Sequence, residues 1–186
     1  MKIYIKNMVC GRCEMVVKSL FESMNISVLS VKLGEVEIDA SLNESEKQQL
    51  SEQLKALGFE LLDDKISKTI ERIKNLIVTL VHHQNEQLKM NLSSYIADDL
   101  KQDYSVLSNM FSENEGITIE HYFISQKIEK VKELMNYNEL SLSEIAFQLN
   151  YTDVAHLSNQ FKKITGMSPT AYKQSQENSR REIDKL

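Results

Sequence analysis

Tryptophan is absent from this chain of 186 residues, proline occurs once, cysteine twice and glycine five times. No apolar run approaches the roughly 20 residues of a membrane span, and Met1 to Cys10 contains no apolar core of a signal peptide. The few glycines form no phosphate-cradling loop, and no nucleophile is accompanied by a recognisable base. We therefore expect a cytoplasmic protein that does not span a membrane and is not an enzyme.

The remaining composition is ordinary for a globular chain, with 41% hydrophobic and 26% charged residues. The length suits one or two domains. Because cysteine pairs in reducing compartments seldom form structural disulfides, we expect the two cysteines to be metal ligands or redox thiols.

Residues 141–172 have the pattern of a helix-turn-helix. Ser141 and Glu144 form a capping box, which predicts the start of a first helix. A polar turn separates this helix from a second one. Gly166 predicts a left-handed C-cap for the second helix, and Pro169 prevents its continuation.

The same pattern occurs a second time in the chain. Ile96-Ala97-x-x-Leu100 matches Ile145-Ala146-x-x-Leu149, and Leu107-Ser108-Asn109-x-Phe111 matches Leu157-Ser158-Asn159-x-Phe161. Each copy reaches a glycine, Gly116 or Gly166, and a helical run from Glu120 to Met135 lies between the copies. The sequence therefore predicts one small helical unit used twice.

With these motifs, residues 65–175 resemble the DNA-binding domain of the AraC/XylS family of bacterial transcription regulators. The second unit carries most of the resemblance, through Ser-Glu-Ile-Ala and His-Leu-Ser-Asn-Gln-Phe-Lys-Lys-Ile-Thr-Gly-Met-Ser-Pro. The resemblance implies an all-α domain in which one long helix joins two helix-turn-helix units. It also implies double-stranded DNA and RNA polymerase as partners, for a monomer or a homodimer.

In a helix-turn-helix, the early outward residues of the second helix contact base edges in the major groove. For the second unit the predicted DNA contacts are Ala155, His156, Asn159, Lys162 and Lys163. Asn159 suits adenine, His156 suits a base or a phosphate, and the lysines suit phosphate. By resemblance, the matching residues of the first unit are Ser105, Ser108 and Asn109.

The acidic charge is distributed unevenly. Residues 1–64 hold 7 basic and 11 acidic side chains, a net charge of −4 within a total of −5. The first helix-turn-helix, Leu92 to Gly116, has five acidic residues and Lys101 as its one basic residue. Because phosphate repels acidic side chains, we expect weak, salt-sensitive DNA binding led by the second unit.

Residues 1–64 have the pattern of a small α+β domain, which is the first of the predicted domains. The predicted strands are 2–6, 28–33, 35–39 and 59–62, and the predicted helices are 14–24 and 44–57. This order, βαββαβ, is the ferredoxin-like arrangement. An amphipathic helix is predicted from Lys65 to Met90, opening the second domain (65–175), and residues 176–186 are predicted to be a flexible tail.

A Met8-x-Cys10-x-x-Cys13 motif lies between the first strand and the first helix. Two thiolates at this spacing converge on one point, and both Arg12 and the helix N-terminus favour the thiolate. Thiolate sulfur prefers Cu(I), whereas zinc would require four ligands and no second pair is obvious.

On this motif the domain is similar to the heavy-metal-associated domain of copper chaperones and metal-pumping ATPases. The resemblance implies that Cys10 and Cys13 bind a soft metal ion such as Cu(I) and that Met8 packs beneath the loop. It also suggests a metal-donor protein as a partner. Asn7 stands where that family usually has glycine.

We interpret the chain as a transcription regulator in which a metal-binding domain controls a double helix-turn-helix. Metal at Cys10 and Cys13 would change the relative placement of the two DNA-contacting helices, which must enter major-groove segments about 34 Å apart. Three alternatives remain open. The chain is a metallochaperone or metal-storage protein, a thiol-redox-sensing regulator that uses the same cysteines, or a partner-binding module whose cysteine pair is vestigial.

Overall fold

The computed structural model describes residues 1–83, 90–137 and 139–174. The chain divides into two compact units, the first from Met1 to Leu76 and the second from Ile77 onward. The predicted tail at 176–186 lies outside the described residues. Within the described parts of the chain, no helix combines the length and the apolar character that crossing a membrane requires.

The first unit is a four-stranded antiparallel sheet with three helices. Its elements are β1 (Lys2–Lys6), α1 (Gly11–Ser23), β2 (Val28–Lys32), β3 (Glu35–Ile38), α2 (Glu44–Ala56), β4 (Glu60–Leu62) and α3 (Lys65–Val78). The strands lie in the order β2-β3-β1-β4. This confirms the predicted element order βαββαβ, with α1 beginning earlier than predicted; the ferredoxin-like classification stays a prediction.

One face of the sheet is covered by α1 and α2. Strand β1 alternates as predicted, so that Ile3 and Ile5 point into this core and are 4% and 0% exposed. Phe21 of α1 and Leu50 of α2 are fully buried against them. The apolar spacing therefore identifies the inner face correctly at Phe21 and Leu50, but Val16 and Leu57, which share that spacing, are 42% and 48% exposed.

Most of helix α3 belongs to the first unit, whereas the predicted domain boundary lay at its start. Glu71 Oε1 accepts a hydrogen bond from the backbone N–H of Asn7 at 3.2 Å. Asn75 packs so closely on Gly34 that a Cβ at that glycine would come within 1.9 Å of Asn75 Nδ2. The compact units divide between Leu76 and Ile77, inside α3, so that both of these contacts lie within the first unit.

The second unit is all-helical in its described part, as predicted. It contains a π-helical segment (Thr79–His83), α4 (Leu92–Leu100), α5 (Tyr104–Glu115), α6 (Ile119–Tyr137), α7 (Leu142–Gln148), α8 (Val154–Thr165) and α9 (Pro169–Gln174). Of the helix predicted over 65–90, the α-helical part ends at Val78, and residues 84–89 lie outside the described range. Helix α9 was not predicted from the sequence; Pro169 occupies its first helical position.

The internal repeat corresponds to two helix pairs, α4 with α5 and α7 with α8, and the long helix α6 packs against both. Both second helices end at a glycine in the left-handed conformation, Gly116 with φ 70° and Gly166 with φ 82°. A left-handed residue also lies in each inter-helix turn, Lys101 with φ 54° and Asn150 with φ 55°. The predicted duplication is therefore present in backbone geometry as well as in sequence.

Candidate DNA-binding interface

Side-chain caps fix the start of both helices of the second helix-turn-helix, α7 and α8. Ser141 and Glu144 form the predicted capping box on α7, with Ser141 N–H donating to Glu144 Oε2 at 2.7 Å. At the start of α8, Asp153 Oδ1 accepts from the backbone N–H of His156 at 2.7 Å. Because these caps accept hydrogen bonds from backbone N–H groups that have no partner within the helix, the first turn of α8 is held in place although Ala155 and His156 are exposed.

Helix α8 buries one stripe and exposes the opposite one. Leu157 and Phe161 are 0% exposed, and the Phe161 ring lies edge-on to Tyr172 at 5.5 Å between centroids. The exposed side chains are Ala155, His156, Asn159, Lys162 and Lys163. The structure therefore places all five predicted contacts of the second helix-turn-helix on one accessible face, which we call the α8 face.

His156 is held by its neighbours at the start of α8. Its ring lies edge-on to Tyr151, with centroids 5.3 Å apart. Its Nδ1 is 3.4 Å from Thr152 Oγ1, which leaves Nε2 for an external partner. A side chain fixed in this way loses little rotamer entropy when it contacts a base or a phosphate.

The turn before α8 is anchored on α6 by a contact that sequence reasoning missed. The ammonium of Lys127 lies 3.8 Å from the ring centroid of Tyr151, and burial lowers the pKa of Lys127 to about 8. Tyr151 itself is 7% exposed. A cation held over a buried ring is a cation–π contact. No spacing rule in the sequence links these residues, because Lys127 lies on α6 and Tyr151 lies in the turn before α8.

The first helix-turn-helix presents a different set of side chains on α5. Ser105 and Asn109 are exposed as predicted, but Ser108 is half-buried because it lies beside the core-facing Leu107. Val106, which was not predicted, is 53% exposed. The repeat could have identified Val106, since aligning Leu107 with Leu157 places it at the position of His156.

Helix α5 contains no lysine or arginine. Ser112 and Glu113 occupy the positions that Lys162 and Lys163 occupy in α8. The hydroxyl of Tyr104 donates to Glu120 of α6, and this hydrogen bond lowers the pKa of Glu120. The start of α5 is thus anchored to α6, but the helix offers phosphate no positive side chain.

The two cysteines lie together at the start of α1, as predicted. Cys10 is the N-cap residue, and its Sγ lies 3.5 Å from Cys13 Sγ, with both residues half-buried. Burial opposes ionisation of Cys10, but hydrogen bonds from Cys13 and the charge of Arg12 outweigh it, so the pKa of Cys10 is lowered. Burial and the neighbouring Cys10 raise the pKa of Cys13. One thiolate therefore forms readily and the second requires a compensating cation.

The loop before the cysteines has the shape that a glycine would give. Asn7 has φ 72°, in the left-handed region, and its side-chain amide donates to Gly58 O at 3.0 Å. Asparagine tolerates this conformation better than most residues. Met8 is 0% exposed, in the core beneath the loop, as the resemblance implied. Asn7 therefore adopts a left-handed conformation that glycine would also allow at this position.

The donor set suits a two-coordinate soft ion. Within residues 1–83, 90–137 and 139–174, no three histidine, cysteine, aspartate or glutamate side chains form a group that could hold a metal. Zinc prefers four ligands, whereas Cu(I) accepts two thiolates. The residues present thus fit Cu(I) better than zinc.

Comparison with known proteins identifies the type of the helical domain. Residues 96–175 match the family model described as "Helix-turn-helix domain". The chain is 27% identical over 150 residues to the probable transcriptional regulator LumQ of Photobacterium leiognathi, covering 79% of this chain and 57% of LumQ. It is also 27% identical over 104 residues to YtdP of Bacillus subtilis, an uncharacterized HTH-type transcriptional regulator, covering 56% of this chain and 13% of YtdP.

Among solved structures, the C-terminal domain of AraT, a response regulator from Geobacillus stearothermophilus, superposes with a TM-score of 0.52 and 27% identity. The superposition covers 64% of this chain and 94% of that domain. Residues 96–175 therefore match a helix-turn-helix domain, and the helical part of the chain is similar in fold to the AraT domain. The relatives are named as regulators and not as enzymes, in agreement with the prediction.

Proposed function

We propose that this chain, whose residues 96–175 match a helix-turn-helix domain, is a sequence-specific DNA-binding transcription regulator of the AraC type. We further propose that it responds to a soft metal ion at Cys10 and Cys13. The observation that carries the DNA-binding part is the α8 face. On a capped and anchored helix it presents an amide, an imidazole and two ammonium groups to the outside.

The chemistry of the α8 face suits duplex DNA in the major groove. The Asn159 amide can pair with adenine N6 and N7, and Lys162 and Lys163 can each neutralise a phosphate near the helix C-terminus. His156 supplies Nε2 at the helix start, where base edges are met. The buried Leu157 and Phe161 set the orientation, so the contacts belong to one rigid surface.

Three features support the metal-responsive part. The thiols are close, one has a lowered pKa, and Asn7 and Met8 fix the loop that carries them. The same loop is connected to α3 through the Asn7 N–H and the Glu71 carboxylate, and α3 extends to Val78, past the end of the first unit. A change at the cysteines therefore has a short covalent and hydrogen-bonded route into the chain segment that precedes the DNA-binding domain. We propose that the first unit is a heavy-metal-associated domain of ferredoxin-like fold, with a metal-donor protein as partner.

A thiol redox switch is the second candidate, because the 3.5 Å between the Sγ atoms is already close to contact. A peroxide would remove two electrons and two protons from the dithiol, forming one S–S bond. The lowered pKa of Cys10 favours it as the attacking thiolate.

The test is DNA affinity of the full chain, measured by fluorescence anisotropy on a selected duplex, reduced and with Cu(I), Zn(II) or peroxide. We expect Cu(I) to change the affinity and the Cys10→Ser, Cys13→Ser double variant to lose that response while binding DNA as the metal-free protein does. Zn(II) is the control, since two thiolates do not complete its coordination.

Each outcome separates the candidates. A response to peroxide alone would replace metal sensing by redox sensing. Cu(I) binding without any specific DNA site would favour a metallochaperone or storage protein. Specific DNA binding that is equal in all conditions would leave the DNA-binding proposal standing and refute control through the cysteines.

A further inference from the structure

Val106 on α5 is an exposed side chain to which the DNA contacts proposed for α8 assign no role. It is 53% exposed, in the first turns of the second helix of the first helix-turn-helix. Single exposed apolar side chains are common on protein surfaces. Its position is the informative observation, because the repeat places it where His156 stands on the α8 face.

The other outward side chains of α5 restrict which bases this helix can contact. Arginine or lysine paired with guanine O6 and N7 is the commonest specific contact, and α5 contains neither residue. Ser105 accepts and donates without strong preference, while Asn109 suits adenine. The helix thus lacks the means to select guanine and retains the means to select A·T pairs.

An exposed valine adds the complementary apolar contact. In the major groove, thymine differs from cytosine by its C5 methyl group, which apolar side chains recognise by contact. We infer that Val106 is a specificity-determining residue, whose side chain packs on a thymine methyl while Asn109 selects adenine. The first helix-turn-helix accordingly recognises an A·T-containing segment. This inference rests on the proposed DNA binding and adds the base preference of the first helix-turn-helix.

The charge of the first helix-turn-helix agrees with a role in base recognition. Glu113 is exposed where the second helix-turn-helix has Lys163, so α5 gains little binding energy from phosphate. Its contribution must then come from base contacts more than from charge. Helix α5 therefore adds base specificity, while the second helix-turn-helix supplies the affinity for phosphate.

Replacing thymine by deoxyuridine removes the methyl and leaves base pairing intact. Full-length protein is first used to select its preferred duplex from a random pool. Each thymine of the selected site is then replaced singly, and affinities are measured for wild type and Val106→Ala. Val16→Ala serves as the matched control, since Val16 is another exposed helical valine, 42% exposed, outside the DNA-binding domain.

We expect one or two thymines whose replacement weakens wild-type binding about fourfold, the worth of one buried methyl. Val106→Ala should weaken binding to the thymine duplex to a similar extent and then show no further loss on deoxyuridine, whereas Val16→Ala should behave as wild type. Deoxyuridine penalties that are the same in wild type and Val106→Ala would overturn the inference and leave the proposed function intact. Failure to select any preferred duplex would instead overturn the proposed function.

Discussion

The unequal charge of the two helix-turn-helix units makes a quantitative prediction about salt. Lys162 and Lys163 are exposed on the α8 face, whereas Ser112 and Glu113 stand at the matching positions of α5. Each phosphate neutralised contributes about 0.9 to the slope of log affinity against log salt concentration. The Lys162→Gln, Lys163→Gln double variant should therefore reduce that slope by about 1.8.

Over a fourfold range of salt, such as 50 to 200 mM, one phosphate contact changes affinity about 3.5-fold and two contacts change it about 12-fold. Anisotropy titrations at several salt concentrations give the slope directly. Lys32→Gln with Lys55→Gln is the matched control, because it changes the net charge equally at exposed sites in the first unit. We expect this control to keep the wild-type slope.

Adding lysines to the first helix-turn-helix tests the same dependence on phosphate contacts in the opposite direction. Ser112→Lys with Glu113→Lys should raise the affinity at low salt and increase the slope, since two new ammonium groups would face phosphate. The reasoning would be refuted if the α8 lysine variant kept the wild-type slope, or if it lost no more than the control pair.

Three further predictions concern stability. Burial lowers the pKa of His82 from 6.5 to about 4, so the unfolded state takes up a proton more readily than the folded state does. The contribution of His82 to the free energy of unfolding is full above about pH 6.5 and falls toward pH 4 by at most about 3 kcal/mol. His82→Gln should flatten this pH dependence in urea unfolding curves, and an unchanged dependence would contradict the prediction. Asp153→Ala removes the cap on α8 and should cost about 1 kcal/mol in urea unfolding, and a loss near zero would show that the cap contributes nothing. Asn7→Ala should destabilise the chain by about 1 kcal/mol or more because alanine is strained at positive φ, while Asn7→Gly should cost less; equal losses would assign the effect to the amide hydrogen bond alone.

Local patterns in the sequence were sufficient to predict the helix pairs and most of their faces. The capping box at Ser141 and the glycine at Gly166 act within a few residues, and the structure contains both. Leu157 and Phe161 occur at helical spacing, so their burial followed from periodicity. The predicted exposure of Asn159 depended on the same period.

Contacts between distant segments could not be predicted in this way. The hydrogen bond from Asn7 to Glu71 joins a loop to a later helix, and the boundary between the compact units lies inside that helix, α3. Lys127 meets Tyr151 only because α6 packs on the α7–α8 turn. The half-burial of Ser108 depends on how α5 is rotated against its neighbours, which residue types alone do not specify.

His82 shows the same limitation for single residues. Its Nε2 lies 2.9 Å from Gln126 Oε1, and its side chain is 5% exposed. The amide oxygen can only accept, so Nε2 donates. Burial lowers the pKa of His82 to about 4, so the ring is neutral near pH 7. Nothing in the local sequence indicates this burial, because the partner on α6 lies far along the chain.

The account depends on base contacts made by the α8 face, and Asn159 is the side chain that tests it most directly. Wild-type protein and Asn159→Ala can each be used to select duplexes from a random pool at low salt, and the base preferences compared position by position. We predict an adenine preference at one position of the wild-type site that Asn159→Ala loses, with the other positions unchanged. Identical preferences for the two proteins, or no enrichment with either, would contradict the account.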